Sequence, residues 1–203
     1  MSISKRLTDI LLALFCIILL SPLLIFVAIC VFLTDGRPVL YRSERMKTPS
    51  EGFLLWKFRT MTVAKEDRGV SGGDKAARIT PLGARLRRCR ADELPQLWNI
   101  LRGDISFVGP RPPLRRYVEL RPDLYGQVLQ SRPGVTGLAT LVFHATEERL
   151  LAPCKTAEET EEIYLRRCVP VKARLDLIYQ RNRSLCYDMA LLWQTFTGGF
   201  SRR

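Results

Sequence analysis

Histidine is nearly absent from this sequence, and acid is scarce. His144 is the only histidine in 203 residues, and 20 acidic side chains face 32 basic ones. A Ser-His-Asp triad would have to use His144, and nothing around it has the form of a nucleophile elbow. None of the six cysteines (Cys16, Cys30, Cys89, Cys154, Cys168 and Cys186) forms a C-x-x-C pair, which argues against zinc. Cys16 and Cys30 fall inside an apolar run, and the other four, widely spaced, read as reduced, mostly packed thiols of a cytosol-facing domain. There is no internal repeat and no low-complexity tract. No helix-turn-helix, zinc-finger or RNA-binding signature is present, and aromatics are not interleaved with the basic run. No A-x-A cleavage site follows the apolar N-terminus, which argues against a cleaved signal peptide.

What the sequence does have is positive charge and one long apolar run. The net charge of +12 favours an anionic partner, whether nucleic acid, an acidic membrane surface or a phosphorylated substrate. Ile10 to Leu33 runs for 24 residues without a charge, enough to cross a hydrocarbon core of about 30 Å. Ser21-Pro22 lies in its middle, where proline removes a backbone donor and bends a helix. The Ser21 hydroxyl can occupy a carbonyl freed there. Lys5 and Arg6 precede the run, while Arg37, Arg42, Arg45 and Lys47 follow it. Positive charge on both flanks does not orient a spanning helix. From these residues a kinked spanning helix and a helix that enters, bends and leaves on the same side stay equally open.

Beyond the turn at Asp35-Gly36, Val39-Leu40-Tyr41 and Phe53-Leu54-Leu55-Trp56 read as a β-hairpin. Lys57-Phe58-Arg59-Thr60-Met61 closes the second strand with two cations. Glu66 to Ala77 is polar and rich in Gly and Lys, the composition of a mobile loop that can serve as a lid. Thr80-Pro81-Leu82-Gly83 opens an Arg-rich helix. Asp92 reads as the N-cap of the next helix, with Pro95 in its first turn and Gly103 past its end. Leu94, Leu97, Trp98 and Leu101 then fall on one buried face. Asp104 to Pro113 reads as a loop. Leu114 to Gln130 reads as a helix with an interruption at Arg121-Pro122. Arg132-Pro133-Gly134-Val135-Thr136-Gly137 is a Gly-rich turn, loosely like a phosphate loop but without the G-K-[ST] end. Glu158 to Arg167, Lys172 to Tyr179 and Ser184 to Thr197 read as helices. The last is apolar at Leu185, Met189, Leu192, Trp193 and Phe196.

The chemistry concentrates around Asp92-Glu93. Arg85, Arg87, Arg88 and Arg90 lie upstream, and Gly109-Pro110-Arg111-Pro112 lies downstream. A carboxylate before a helix can simply be a cap. Acids among so many arginines also suit phosphoryl transfer, which needs positioning and charge stabilisation above all. Arginine forks bind phosphate oxygens. One carboxylate can hold Mg²⁺ beside substrate phosphates, and another can attack as a nucleophile. Consecutive helical residues lie about 100° apart, which suits two separate tasks.

Taken in order, several segments together resemble the bacterial sugar transferase family, the monotopic phosphoglycosyl transferases. They are Lys57-Phe58-Arg59-Thr60-Met61, then Leu86-Arg87-Arg88 through Asp92-Glu93-Leu94-Pro95-Gln96-Leu97, then Gly103-Asp104-Ile105-Ser106-Phe107-Val108-Gly109-Pro110-Arg111-Pro112. Arg132-Pro133-Gly134-Val135-Thr136-Gly137-Leu138-Ala139 follows, and then Leu175-Asp176 with Tyr179, Asn182, Ser184 and Asp188. The resemblance covers almost the whole chain. It implies an α+β fold, mostly α, with a re-entrant membrane helix broken at Ser21-Pro22 in residues 1–36. A compact catalytic domain, residues 37–203, is then expected on the cytoplasmic face of a bacterial inner membrane, with a short β-hairpin and interfacial helices. The short N-terminus resembles the family's minimal catalytic form.

The implied reaction moves a phosphosugar from a UDP-sugar to polyprenyl phosphate, such as undecaprenyl phosphate, and releases UMP. It would open exopolysaccharide, O-antigen or glycoprotein glycan assembly. By resemblance Asp92 is the nucleophile of a ping-pong reaction and Glu93 the Mg²⁺ ligand. Arg87, Arg111 and Lys57 are implied as phosphate-binding cations, and Asp176 and Arg59 as site support. A homodimer is admissible, and no nucleic-acid partner is expected. The family pattern is left after Ala139, where Thr140-Leu141-Val142-Phe143-His144 replaces the Gln-Val-Asn-Gly-Arg of many relatives, so that segment and Leu150 to Thr156 bear on substrate preference. The alternative reading is a membrane-tethered basic protein that binds nucleic acid or acts as a scaffold.

Overall fold

The computed structural model describes residues 2–63 and 73–198. Of the expected loop, residues 66–72 lie outside the described residues. Gly73–Arg78, at its far end, is a turn of 3-10 helix.

A single helix, α1, runs Ile3–Asp35. Its start is capped by Ser2, whose hydroxyl accepts from the Lys5 N–H at 3.3 Å. Pro22 sits inside it. Proline leaves the Ile18 carbonyl without its i+4 donor, and the Ser21 hydroxyl donates to that carbonyl at 2.8 Å. The expected break therefore takes the form of one replaced hydrogen bond in a continuous helix. Ala13, Val27 and Val31 are buried against the rest of the protein. Phe15, Ile18, Leu19, Ile25, Phe26 and Leu33 stand exposed, an apolar face far too extensive for water.

Strands β1 (Leu40–Met46) and β2 (Gly52–Phe58) form the anticipated antiparallel hairpin, with Leu40 opposite Phe58 and Met46 opposite Gly52. Leu55 and Phe58 are buried while Leu54 is exposed. Helix α2 (Pro81–Arg88) begins where Thr80 accepts from the Gly83 N–H at 2.9 Å. A 3-10 turn, Ala91–Glu93, separates it from α3 (Gln96–Arg102), which Gly103 ends at φ 82°. The sequence-based cap at Asp92 is thus corrected: α3 starts at Gln96, after Pro95. Leu97 is buried as expected, but Trp98 is exposed.

Three elements were not anticipated. Within the expected loops, β3 (Ser106–Val108) and β4 (Gly134–Thr136) pair in parallel, Ser106 with Gly134 and Val108 with Thr136. Glycine is required there by close approach rather than by a phosphate: a Cβ on Gly134 would lie 2.2 Å from the Gly109 nitrogen, and one on Gly137 would lie 2.3 Å from the Gly109 oxygen. The other unanticipated element is α6 (Leu138–Leu151).

The expected interruption at Arg121-Pro122 divides α4 (Arg115–Leu120) from α5 (Pro122–Val128). The chain ends with α7 (Ala157–Ile163), a π-helical turn at Tyr164–Cys168, α8 (Val169–Asn182) and α9 (Leu185–Thr197). Met46, Tyr117, Tyr125, Phe143, Tyr164 and Cys168 belong to the main core. Ala13 of α1 joins Leu97, Ile100 and Ile105 in a second cluster. Val27 and Val31 join Phe58 and Leu86 in a third.

Both ends of α1 are bonded to this same body. At the start, Lys5 forms a salt bridge with Asp188, and Arg6 donates to the carbonyls of Ile100 (2.6 Å) and Leu101 (2.7 Å). Asp9 accepts from the Ser106 hydroxyl at 3.1 Å. At the far end, Arg59 donates to the carbonyls of Asp35, Gly36 and Arg37, and the Thr80 hydroxyl donates to Asp35 Oδ2 at 2.9 Å.

Candidate active site

Asp92 and Glu93 sit on the 3-10 turn between α2 and α3. The chain enters that turn through Arg90 at φ 55°. That value is uncommon for a residue with a Cβ, and it reverses the backbone after α2. The turn is also held against β2, because Asn99 of α3 is completely buried and clamps that strand. Its Oδ1 accepts from the Trp56 N–H at 3.0 Å, and its Nδ2 donates to the Leu54 carbonyl at 2.8 Å. Lys57 is the next residue along the strand.

The two neighbouring acids have different surroundings. Glu93 Oε1 accepts from Lys57 Nζ at 2.6 Å and from Arg111 at 3.0 Å. Burial alone would raise its pKa, but Arg111 and Lys57 overcome it and hold the carboxyl well below the usual carboxylate range. Asp92 is 7 % exposed, yet its carboxylate accepts no hydrogen bond from the described residues. Burial pushes its pKa up and the Glu93 charge adds to the rise, while Lys57, Arg87 and Arg111 oppose it. An oxygen pair that is buried, unbonded and raised in basicity is suited to attack an electrophile. A salt-bridged one is suited to hold charge.

The cations are positioned by separate elements. Arg111 follows β3 in the Gly109-Pro110-Arg111-Pro112 loop, which the β3–β4 pair and the hairpin brace. Gly134 N–H donates to the Pro110 carbonyl at 2.8 Å, Met46 N–H to the Pro113 carbonyl at 2.9 Å, and Arg45 to the Pro112 carbonyl at 3.3 Å. The Glu93 carboxylate raises the Arg111 pKa. Burial, assisted by the Arg111 charge, lowers that of Lys57 against the opposing effect of Glu93. Arg87 lies on α2, and its Nε donates to Thr60 Oγ1 at 2.8 Å.

The structure therefore gathers Asp92, Glu93, Lys57, Arg87 and Arg111 within one charged neighbourhood. Arg59 is elsewhere, its guanidinium committed to the end of α1. Asp176, on α8, forms no hydrogen bond or ion pair with that neighbourhood among the described residues. Burial pushes its pKa up to about 7, and Lys172 is the opposing charge. Lys172 itself donates to both carboxylate oxygens of Glu147, at 3.0 and 2.9 Å. Thr60 and Asn99 are supports that sequence reasoning missed. Thr60 stood inside a recognised segment, but nothing local in the sequence marks Asn99.

Among the described residues, no cluster of three or more His, Cys, Asp or Glu could cage a metal ion. Mg²⁺ bound beside substrate phosphates needs only one or two carboxylates, the rest of its shell being phosphate and water oxygens. Glu93 meets that requirement, since its cations share Oε1 and its Oε2 accepts no hydrogen bond from the described residues.

The family model described as "Bacterial sugar transferase" matches residues 1–202. A UDP-glucose:undecaprenyl-phosphate glucose-1-phosphate transferase of Klebsiella pneumoniae is 34 % identical over 97 % of the chain and 40 % of its own length. A UDP-N-acetylgalactosamine-undecaprenyl-phosphate N-acetylgalactosaminephosphotransferase of Aeromonas hydrophila is 32 % identical over 94 % of the chain and 42 % of its own length. Exopolysaccharide production protein PSS of Rhizobium leguminosarum bv. phaseoli is 35 % identical over 98 % of the chain and 96 % of its own length. The chain thus spans about two fifths of the first two proteins and nearly all of the third.

Proposed function

The chain belongs to the bacterial sugar transferase family, and from that premise we propose that it transfers a sugar phosphate from a UDP-sugar to undecaprenyl phosphate, with Asp92 as nucleophile. The observation that carries this reading is the contrast between the adjacent acids: Glu93 is doubly salt-bridged, while Asp92 is buried without a hydrogen bond. A carboxylate oxygen of Asp92 attacks the phosphorus next to the sugar. The bond from that phosphorus to the bridging oxygen breaks, and UMP leaves with the electron pair. An aspartyl phosphosugar remains. A phosphate oxygen of the polyprenyl acceptor then attacks the same phosphorus and returns Asp92 as a carboxylate, so the kinetics are ping-pong.

Arg111, Lys57 and Arg87 hold the diphosphate and offset the charge that develops on its oxygens. Arg111 and Lys57 also hold Glu93 ionised. Glu93 Oε2 would hold Mg²⁺, which supplies further positive charge against the diphosphate. Substitution tests these roles: Asp92→Asn abolishes UMP release while the protein still inserts and folds. Normal turnover by that variant would refute the nucleophile assignment.

The membrane arrangement belongs to the same proposal. The exposed apolar face of α1 enters the bilayer, and the helix is re-entrant with its ends and the catalytic domain on the cytoplasmic side. The support is that both ends of α1 are bonded to one body. Single cysteines placed at Ser4 and Arg37, in a background freed of native thiols, should react with an impermeant reagent from one side of sealed vesicles. Labelling from opposite sides would show a spanning helix.

A further inference from the structure

The end of α1 and the arginine beside Asp92 meet at one junction, centred on Thr60. The Thr60 carbonyl accepts from the Thr80 N–H at 3.1 Å. Its hydroxyl oxygen accepts from Arg87 Nε at 2.8 Å. Helix α2 lies so close that a Cβ on Gly83 would be 2.2 Å from the Thr60 oxygen, a backbone atom that cannot swing aside. Thr80 caps α2 and at the same time donates its hydroxyl proton to Asp35 Oδ2 at 2.9 Å. Asp35 is the last residue of α1. Arg59, the neighbour of Thr60, closes the junction by donating to the carbonyls of Asp35, Gly36 and Arg37. Val27 and Val31 of α1 pack in the same cluster as Leu86, one residue before Arg87.

We propose that Thr60 is a positioning residue for Arg87, and that the Asp35–Thr80 hydrogen bond makes the seating of the membrane helix part of that positioning. The proposal rests on the reading of Arg87 as a phosphate-binding arginine. The geometry supplies the reason. A guanidinium on a short helix keeps several rotamers unless one of its N–H groups is fixed. The Thr60 hydroxyl fixes Nε and leaves the two terminal nitrogens to fork onto phosphate oxygens. The position of Thr60 itself is set by the strand end that Arg59 ties to α1. A helix lifted out of its seat removes Asp35 from Thr80 and loosens the start of α2, which carries Arg87 on its last turn.

The test uses the 203-residue chain in lipid nanodiscs with undecaprenyl phosphate and the UDP-sugar it turns over in a panel that includes UDP-glucose and UDP-N-acetylgalactosamine, with UMP release as the readout. Thr60→Val keeps the shape and removes the acceptor, whereas Thr60→Ser keeps it. Thr60→Val is expected to raise KM for that UDP-sugar on the order of tenfold, as loss of a hydrogen bond to a charged group does, with a smaller change in kcat. Thr60→Ser should restore it. In the Arg87→Ala background, Thr60→Val should cost almost nothing more, because the residue it served is gone. Asp35→Ala should reproduce part of the KM effect, and Asp35→Asn, which keeps an acceptor oxygen, should not.

Additive losses in the double variant would overturn the positioning role while leaving the phosphate-binding role of Arg87 standing. An Arg87→Ala variant with unchanged KM would overturn both. A Thr60→Val variant that loses thermal stability but keeps its KM would show a structural contact only. Equal KM effects in Asp35→Ala and Asp35→Asn would remove the link to the membrane helix.

Discussion

Glu93 and Glu147 are each held by cations, and each has a buried aspartate for company. Glu93 takes Lys57 and Arg111, and Asp92 beside it has no hydrogen bond among the described residues. Glu147 takes Lys172 through both oxygens, and Asp176, one helical turn beyond that lysine, is equally without a bond. The parts match but the surroundings differ. Asp92 feels Lys57, Arg87 and Arg111, whereas among the described residues Lys172 is the cation that acts on Asp176. The turn bearing Asp92 also adjoins the cluster in which Ala91 and Leu94 meet Val27 and Val31 of α1. An unbonded buried carboxylate is therefore not enough to make a nucleophile. Under the proposed reaction, what sets Asp92 apart is a set of cations able to hold a diphosphate and a position beside α1.

Substitution can break this comparison in order of effect. Asp92→Asn should lower UMP release roughly a thousandfold or more, as loss of a covalent nucleophile does. Glu93→Gln should follow, with a loss on the order of a hundredfold. It should also destabilise the fold by about 3 kcal/mol, because buried Lys57 loses its counter-charge. Glu147→Gln leaves Lys172 in the same predicament but touches neither the nucleophile nor its diphosphate cations. Its melting temperature should fall while turnover changes less than about tenfold. A Glu147→Gln enzyme as inactive as Glu93→Gln would merge the two clusters into one site.

The pH dependence sharpens the contrast. Asp92 must be ionised to attack, and its pKa is raised, while that of Glu93 is depressed. Activity should therefore fall on the acid side in a single limb lying above the ordinary carboxylate range. A limb at or below that range, with the protein still folded, would contradict a raised Asp92. For Asp176, the native state binds a proton more tightly than the unfolded chain between 3.8 and about 7. Stability should decline as pH rises through that window, and the penalty is complete above it. Asp176→Asn, the smallest effect, should raise the melting temperature at pH 8 and change it little near pH 4. Equal shifts at the two pH values would mean that burial of charge is not the cause.

Local chemistry was legible in the sequence. Thr80-Pro81 starts α2, Gly103 ends α3, Ser184 starts α9 and Arg121-Pro122 divides α4 from α5 because caps and prolines act within a few residues. Non-local pairing was not legible. Strands β3 and β4 are three residues each and lie more than 20 residues apart, so neither shows a period of its own. In α6, exposed Val142 beside buried Phe143 blurs the apolar stripe. The candidate site was legible as a set of residues: Asp92-Glu93 among Arg87 and Arg111 stood out by charge, and resemblance added Lys57 and the separate roles. Its supports were less so. Asn99 acts across 43 positions to reach the Trp56 N–H, a distance at which spacing carries no signal. The apolar residues of α9 illustrate the opposite limit, because Met189, Trp193 and Phe196 form a clear stripe yet point outward.

The most direct measurement is intact-protein mass spectrometry on enzyme mixed with each of a panel of UDP-sugars, including UDP-glucose and UDP-N-acetylgalactosamine, in the absence of undecaprenyl phosphate. The account predicts a sugar-phosphate adduct on the wild-type chain with at least one of these donors, mapped to Asp92 by fragmentation. It predicts no adduct on Asp92→Asn, and loss of the wild-type adduct when undecaprenyl phosphate is added. An adduct that persists in Asp92→Asn, or maps to another residue, would contradict the division of labour between Asp92 and Glu93.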